Sequence, residues 1–347
     1  MIYYKRIFLS IAFLIFILNL FAQIPAGYYD VAVGKKDAAL KTALHTIIKN
    51  HTQLEYYTSA TYFRTTDWNP GGYFWDMYSN NKRTSWTSAM NREHNLPKSW
   101  WSTSPETTVA YSDLHNLYPS DATANSAKSN YPLGEVSGTP VFTNGVVKVG
   151  TNNFPGYNGT VFEPDDEFKG DFARDYMYVV TCYENYASNW RSTGTLSMLY
   201  NNTYPVFKSY AVNLLLKWHR TDPVSEKELI RNNAVFAYQN NRNPFVDFPI
   251  LAEYLWGDLK GSDWTGSDPG LELPFYVTYT PQNSSLFVNV SQSKQASYSI
   301  YSIGGVLLQS GITNESQLVN VNTLDKGMYL IVVYTDTTRQ VSKFLIW

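Results

Sequence analysis

The 347-residue chain reads as an α+β fold, a mixed domain of helices and short strands followed by a small all-β sandwich. Three observations predict this. Apolar residues recur at helical spacing in several segments before residue 258, and all five His lie in that part of the chain. From about Asn283 to Trp347 the pattern changes to short alternating apolar runs separated by turn residues. Between them, residues 258–282 are rich in Gly, Ser, Asp and Pro, as in Gly261-Ser262-Asp263 and Ser267-Asp268-Pro269-Gly270, and read as a linker.

The elements follow in order. Lys5 and Arg6 precede an apolar run from Ile7 to Leu18 broken only by Ser10, and Ala22 offers a small residue for cleavage before Gln23. Residues 1–22 therefore read as a secretory signal peptide, because the run is shorter than the roughly 20 residues that span a bilayer. The expected mature domains are then 23–257 and 283–347, joined by the linker. In the first, Leu40, Ala43, Leu44, Ile47 and Ile48 share one helical face, which puts His45 off the apolar stripe and leaves His45 and His51 as expected surface residues. A second helix starting at Asp171 would bury Phe172, Tyr176, Val179, Val180 and Tyr183 and carry Cys182 as a free structural thiol. His219 is expected to meet the C-terminal dipole of its helix. Ser225 with Glu228 forms a capping box for a helix running towards Gln239. In the tail, Ser297 to Ile303 alternates, Gly304-Gly305 signals a hairpin, and Met328 to Tyr334 reads as a buried strand. The tail has three acids, Glu315, Asp325 and Asp336, and no His, so hydrolytic chemistry is not expected there.

Composition narrows the function. A single Cys excludes a disulfide framework and a Cys-rich zinc site. The formal charge of −2, alongside 28 Tyr, 18 Phe and 10 Trp, argues against binding nucleic acid by net charge. Without Lys5 and Arg6 the chain keeps 25 bases against 29 acids, which makes it more acidic still.

Reactive residue types concentrate between 91 and 130. Arg92-Glu93-His94 sets a carboxylate directly before an imidazole, and Pro97 follows. Ser112-Asp113-Leu114-His115-Asn116-Leu117-Tyr118-Pro119 comes next, and then Ser120 as a candidate N-cap for a helix carrying Asp121, Asn125 and Lys128. Strand, loop, strand, helix is the simplest reading. Neighbours on a strand face opposite sides, so Glu93 and His94 would need a bend or a shared edge to serve one site. An Asn amide oxygen joined to a carboxylate makes a hard, incomplete oxygen site suited to magnesium.

These segments resemble the secreted endonuclease I family, whose active site is a ββα-metal (His-Me) finger; the likeness continues through Phe162 to Arg174 and ends near Asn240 to Phe245. The resemblance implies a magnesium-dependent nonspecific endonuclease acting on DNA and also RNA, leaving 5′-phosphate ends. It implies His94 as general base and Glu93 and Asn125 as ligands of one magnesium ion. His115, with Asp113 and Asn116, is expected to hold the loop and orient His94 by hydrogen bonding. The family's basic residue at the scissile phosphate has no counterpart, since no Arg occurs between Arg92 and Arg174. Lys98, Lys128 or Arg174 could replace it, with Arg174 the first choice. Arg92, Lys98 and Lys128 are expected substrate contacts, and with Lys82, Arg83 and Arg174 they would form a basic face giving shallow salt dependence.

The tail resembles the C-terminal sorting domain of the type IX secretion pathway, through Ile303-Gly304-Gly305-Val306-Leu307, Leu324 to Ile331 and the terminal Lys343-Phe344-Leu345-Ile346-Trp347. This implies export, or attachment at the cell surface, with the secretion machinery as partner; the protein is expected to be a monomer. The competing reading is a noncatalytic surface protein that stacks glycans on Trp68, Trp75, Trp86, Trp100 and Trp101. A metallopeptidase is disfavoured because no His-Glu-x-x-His occurs.

Overall fold

A computed structural model describes residues 24–25, 27–190, 198–267, 276–280, 285–289, 296–313, 316–334 and 339–346; the signal peptide expected over 1–22 lies outside them. The chain divides into two compact units, 1–267 and 268–347.

The first unit opens with α1 (Asp37–Ile48) and α2 (Ser59–Thr66), then the short pair β1 (Trp68–Asn69) and β2 (Tyr73–Phe74). An antiparallel hairpin, β3 (Met90–His94) and β4 (Leu117–Asp121), runs straight into α3 (Ala122–Lys128). A three-stranded sheet follows, formed by β5 (Phe142–Thr143), β6 (Lys148–Thr151) and β7 (Thr160–Glu163). The remaining helices are α4 (Lys169–Cys182), α5 (Ser209–Thr221), α6 (Glu226–Gln239), α7 (Pro244–Asp247) and α8 (Leu251–Trp256).

Helix α4 is the axis of this unit. Its expected apolar face, Phe172 to Tyr183, is buried, but so is every other residue after Lys169, because α1, α5 and α7 all pack on it. Asp171, Arg174 and Asp175 on its other sides therefore need buried partners. The capping box at Ser225 and Glu228 forms as expected and starts α6. In α1, Leu40, Leu44 and Ile48 are buried.

The His expectations change where helices meet. His45 is half-buried, and its Nδ1 donates to the Cys182 carbonyl at 2.9 Å. The His51 side chain is only 1% exposed and its Nε2 lies 2.8 Å from the Tyr183 hydroxyl. Both were expected on the surface; packing of α1 and its C-terminal turn on α4 covers them. His219 is buried rather than facing solvent, and burial, with the Arg174 charge, lowers its pKa to about 4. A neutral ring has no charge to offer the helix dipole. Instead its Nδ1 lies 3.4 Å from Arg174 Nη1. Cys182 is a buried free thiol.

The linker expectation also shifts. Trp264 is fully buried against Tyr29 and Phe248, and its backbone bonds Gly34 and Lys35, so the first unit continues to Ser267. One large ring outweighs the turn-forming residues around it.

The second unit is a two-sheet sandwich. One sheet has the order β12 (Ser316–Asn320), β9 (Ser285–Asn289), β8 (Tyr276–Thr280), so strand structure begins inside the expected linker. The other has the order β11 (Leu307–Thr313), β10 (Ala296–Ser302), β13 (Gly327–Tyr334), β14 (Arg339–Ile346). Leu286, Val288 and Val319 from the first sheet share a core with Ile300, Ile331, Val333 and Phe344 from the second. The β10–β11 hairpin turns at Gly305, whose φ of +82° suits glycine.

Candidate active site

The hairpin register decides which side chains meet. Glu93 pairs with Tyr118 and Asn91 with Ser120, which places these four on one face; Met90, Arg92 and His94 lie on the other, opposite Asp121, Pro119 and Leu117. On the first face, Tyr118 and Ala124 join the main core; on the second, Met90 and Leu117 join a smaller core with Phe63, Phe74 and Val235. Glu93 and His94 therefore leave the strand on opposite faces, but at its last two paired positions, the shared edge that one site needs: Lys128 Nζ meets both Glu93 Oε1 at 2.6 Å and the His94 carbonyl at 3.4 Å. The helix cap is Asp121, not Ser120: its Oδ1 accepts from Thr123 and Ala124 N–H, while Ser120 remains in β4.

Helix α3 lies on the Glu93 face. Lys128 is fully buried and its Nζ donates to Glu93 Oε1 at 2.6 Å, which removes it from the expected set of open substrate contacts. Burial raises the Glu93 pKa, and the Lys128 charge works against that rise. Asn125 stands one helical turn before Lys128, half-buried, with Nδ2 3.4 Å from Ser120 Oγ. Register and helix period thus bring Glu93 and Asn125 to the same face.

On the opposite face His94 is 4% exposed. Its ring is near-parallel to Tyr56 at 5.9 Å and stacks with Tyr111 at 5.2 Å, and Trp101 meets it edge-on at 5.6 Å. His94 Nε2 lies 2.8 Å from the Tyr111 carbonyl. A carbonyl only accepts, so the proton is on Nε2 and Nδ1 keeps its lone pair. Burial, reinforced by the charges of Lys98 and Lys128, lowers the His94 pKa to about 3, so the ring is neutral.

The loop between the strands is held from below. Asn116 brackets Leu96, its Oδ1 accepting from Leu96 N–H at 2.7 Å and its Nδ2 donating to Leu96 O at 3.1 Å. Asn95 N–H donates to Asn116 O. Asp113 accepts from His115 N–H, Gln239, Tyr178 and Tyr183. Burial would raise its pKa, yet His51, His115 and these donors hold it at about 2. His115 does not orient His94 as expected; its Nε2 meets Asn241 O at 3.2 Å and its ring packs on Tyr178. The orienting group is the Tyr111 carbonyl, which sequence reasoning missed because a backbone acceptor leaves no side-chain signature.

The expected basic face is largely spoken for. Arg174 is fully buried and grips Glu228 with Nε and Nη2, while Nη1 donates to Asp222 O at 2.9 Å. This removes Arg174 from the scissile phosphate, because each of its three nitrogens donates inside the core. Arg83 bonds Asp76 and Asp121. Arg92 donates to Ser59 Oγ and Tyr57 O, each at 2.7 Å. Lys98 is exposed and, among the described residues, enters no salt bridge; its Nζ lies 5.2 Å from the Tyr111 ring centroid, and its charge acts on both Glu93 and His94.

The tryptophans pack inward. Trp100 and Trp101 are buried, Trp68, Trp75 and Trp86 half-buried, and no Trp is exposed among the described residues. That withdraws Trp100 and Trp101 from the platforms the glycan reading names.

Two family models match the chain: Endonuclease I over residues 37–250 and secretion system C-terminal sorting domain over residues 280–347. An extracellular ribonuclease of Bacillus amyloliquefaciens is 33% identical over 237 residues, covering 66% of this chain and 78% of that protein. An extracellular ribonuclease of Bacillus subtilis is 32% identical over 241 residues, with the same coverage of 66% and 78%. Endonuclease-1 of Buchnera aphidicola is 26% identical over 137 residues, 39% of this chain and 44% of that protein.

Proposed function

Because the chain belongs to the endonuclease I family of phosphodiester-hydrolysing nucleases, we propose that it is a magnesium-dependent, nonspecific endonuclease that cuts DNA and RNA and leaves 5′-phosphate ends. Its C-terminal unit is a secretion-system sorting domain, so the enzyme acts outside the cell. The similarity to extracellular ribonucleases supports RNA as one substrate.

The observation that carries the reading is the 2.8 Å contact from His94 Nε2 to the Tyr111 carbonyl. It leaves Nδ1 of a neutral ring as the acceptor for a proton from water, and a base that activates water needs no ribose 2′-hydroxyl. Glu93 and Asn125 would offer carboxylate and amide oxygens from facing elements, a donor set that fits magnesium, and an ion there would share Glu93 with the Lys128 ammonium. The ion, when bound, supplies positive charge to the phosphate and its leaving 3′ oxygen. Lys98, which enters no salt bridge among the described residues and whose charge acts on His94, is the cation placed to contact the scissile phosphate. Asn116 and Asp113 keep the loop in place around His94.

Purified protein should degrade plasmid in magnesium and stop in EDTA, and His94→Ala should slow cleavage by about 100- to 10,000-fold. Undiminished cutting by that variant would sink the assignment, and a 3′-phosphate product would overturn the leaving-group geometry.

A further inference from the structure

The site edge carries an aromatic feature that proton transfer and metal binding leave unused. Tyr57 is 75% exposed, yet its position is fixed: Arg92, on the strand that ends in His94, donates to Tyr57 O and to Ser59 Oγ, each at 2.7 Å. From this exposed ring a continuous series leads inward. Tyr57 meets Tyr56 edge-on with centroids 5.3 Å apart, Tyr56 stacks with Tyr111 at 4.2 Å, and both lie alongside the His94 ring. Cations border the series, Arg92 5.5 Å from the Tyr56 centroid and Lys98 5.2 Å from that of Tyr111.

An exposed aromatic face held on a rigid turn loses little further entropy when a flat partner stacks on it. Cations beside the rings suit the phosphate that accompanies a nucleobase. A base inside a duplex has both faces covered by its neighbours, so only an unstacked base can use such a surface. Resting on the nuclease reading above, we propose that Tyr57 is the open face of a stacking strip backed by the Tyr56–Tyr111 pair, that it receives an unpaired nucleobase beside the scissile phosphate, and that the enzyme takes single-stranded nucleic acid in preference to duplex.

The test compares a fluorescein-labelled single-stranded oligodeoxynucleotide with a hairpin duplex of the same composition, using native protein, Tyr57→Ala and Tyr57→Phe. Native enzyme should show the higher kcat/KM on the single strand. Tyr57→Ala should lower that value about 5- to 100-fold, through KM rather than kcat, with a far smaller change on the duplex. Tyr57→Phe, which keeps the ring, should retain the native preference. Equal cleavage of both substrates by native enzyme, or an equal loss on both in Tyr57→Ala, would overturn the strip. If the native protein cuts neither substrate, the nuclease reading fails instead. The strip is then read separately by anisotropy of the labelled single strand in EDTA: Tyr57→Ala must weaken binding where Tyr57→Phe does not, and equal binding by both overturns it.

Discussion

Lys128 Nζ lies 2.6 Å from Glu93 Oε1, with the lysine fully buried and the glutamate 8% exposed. The carboxylate at the centre of the proposed metal site is therefore neutralised from inside the protein. Removing the ammonium leaves a buried charge without a partner, a loss of about 3–5 kcal/mol. Lys128→Met should accordingly lower the melting temperature, and magnesium should restore more of it in the variant than it adds to the native protein. Thermal unfolding with and without magnesium measures both increments. Equal increments would show that ion and ammonium do not share Glu93.

Arg174 and Lys98 should separate stability from catalysis. Arg174 is buried with both Glu228 oxygens on its guanidinium, so Arg174→Ala should cost about 3–5 kcal/mol by stranding Glu228, while the folded fraction keeps its kcat. Lys98 is exposed and enters no salt bridge among the described residues, so Lys98→Ala should change stability by less than about 0.5 kcal/mol and lower kcat on the order of 100-fold, with Lys98→Arg recovering most of it. Denaturation midpoints beside single-turnover rates give the comparison; a kcat loss in folded Arg174→Ala would reverse the two roles.

Salt dependence follows from the same census. The acidic composition required bases to gather on one face, but Lys128, Arg174, Arg83 and Arg92 are already bonded within the protein. Of the six bases expected on that face, Lys82 and Lys98 enter no salt bridge among the described residues, so log affinity against log salt should have a slope of about −2 rather than the roughly −5 that six phosphate contacts would give. Titrations of a labelled oligonucleotide across ionic strength in EDTA provide the slope, and a value near −5 would mean that the internal ion pairs open on binding.

Local pattern made part of this site legible. The Glu93-His94 pair, the helix that follows Pro119, and the capping box at Ser225 are short-range features, and each forms within a few residues of where the pattern puts it. The errors share one cause. Arg174 is expected at the scissile phosphate from the family likeness of its segment, yet α4 is surrounded by helices distant in sequence, and its partner Glu228 lies 54 residues away. The His51 side chain and Trp264 are covered by contacts that no local periodicity encodes. The Tyr111 carbonyl, 17 residues after His94, is reached only once the loop has folded back.

Asp175 was not singled out by any motif, yet it ties α4 to both strands of the hairpin. It accepts from Asn95 Nδ2 at 2.6 Å, directly after His94, and from the Tyr118 hydroxyl at 2.7 Å, directly across from Glu93. Burial raises its pKa to about 8, against the pull of Arg231 and these two donors. An unfolded Asp titrates near 3.9, so the native state keeps a proton that the unfolded chain has already released. For a raised pKa of this kind, the contribution to stability is fully present below about pH 4 and is lost as pH rises through about 8, at about 1.4 kcal/mol per pH unit for one proton. Asp175→Asn holds the neutral form at every pH and removes that loss. Urea denaturation at pH 5, 7 and 9 should therefore show the variant gaining on the native protein as pH rises; a difference that stays constant across the three would mean that Asp175 is ionised in the folded protein throughout.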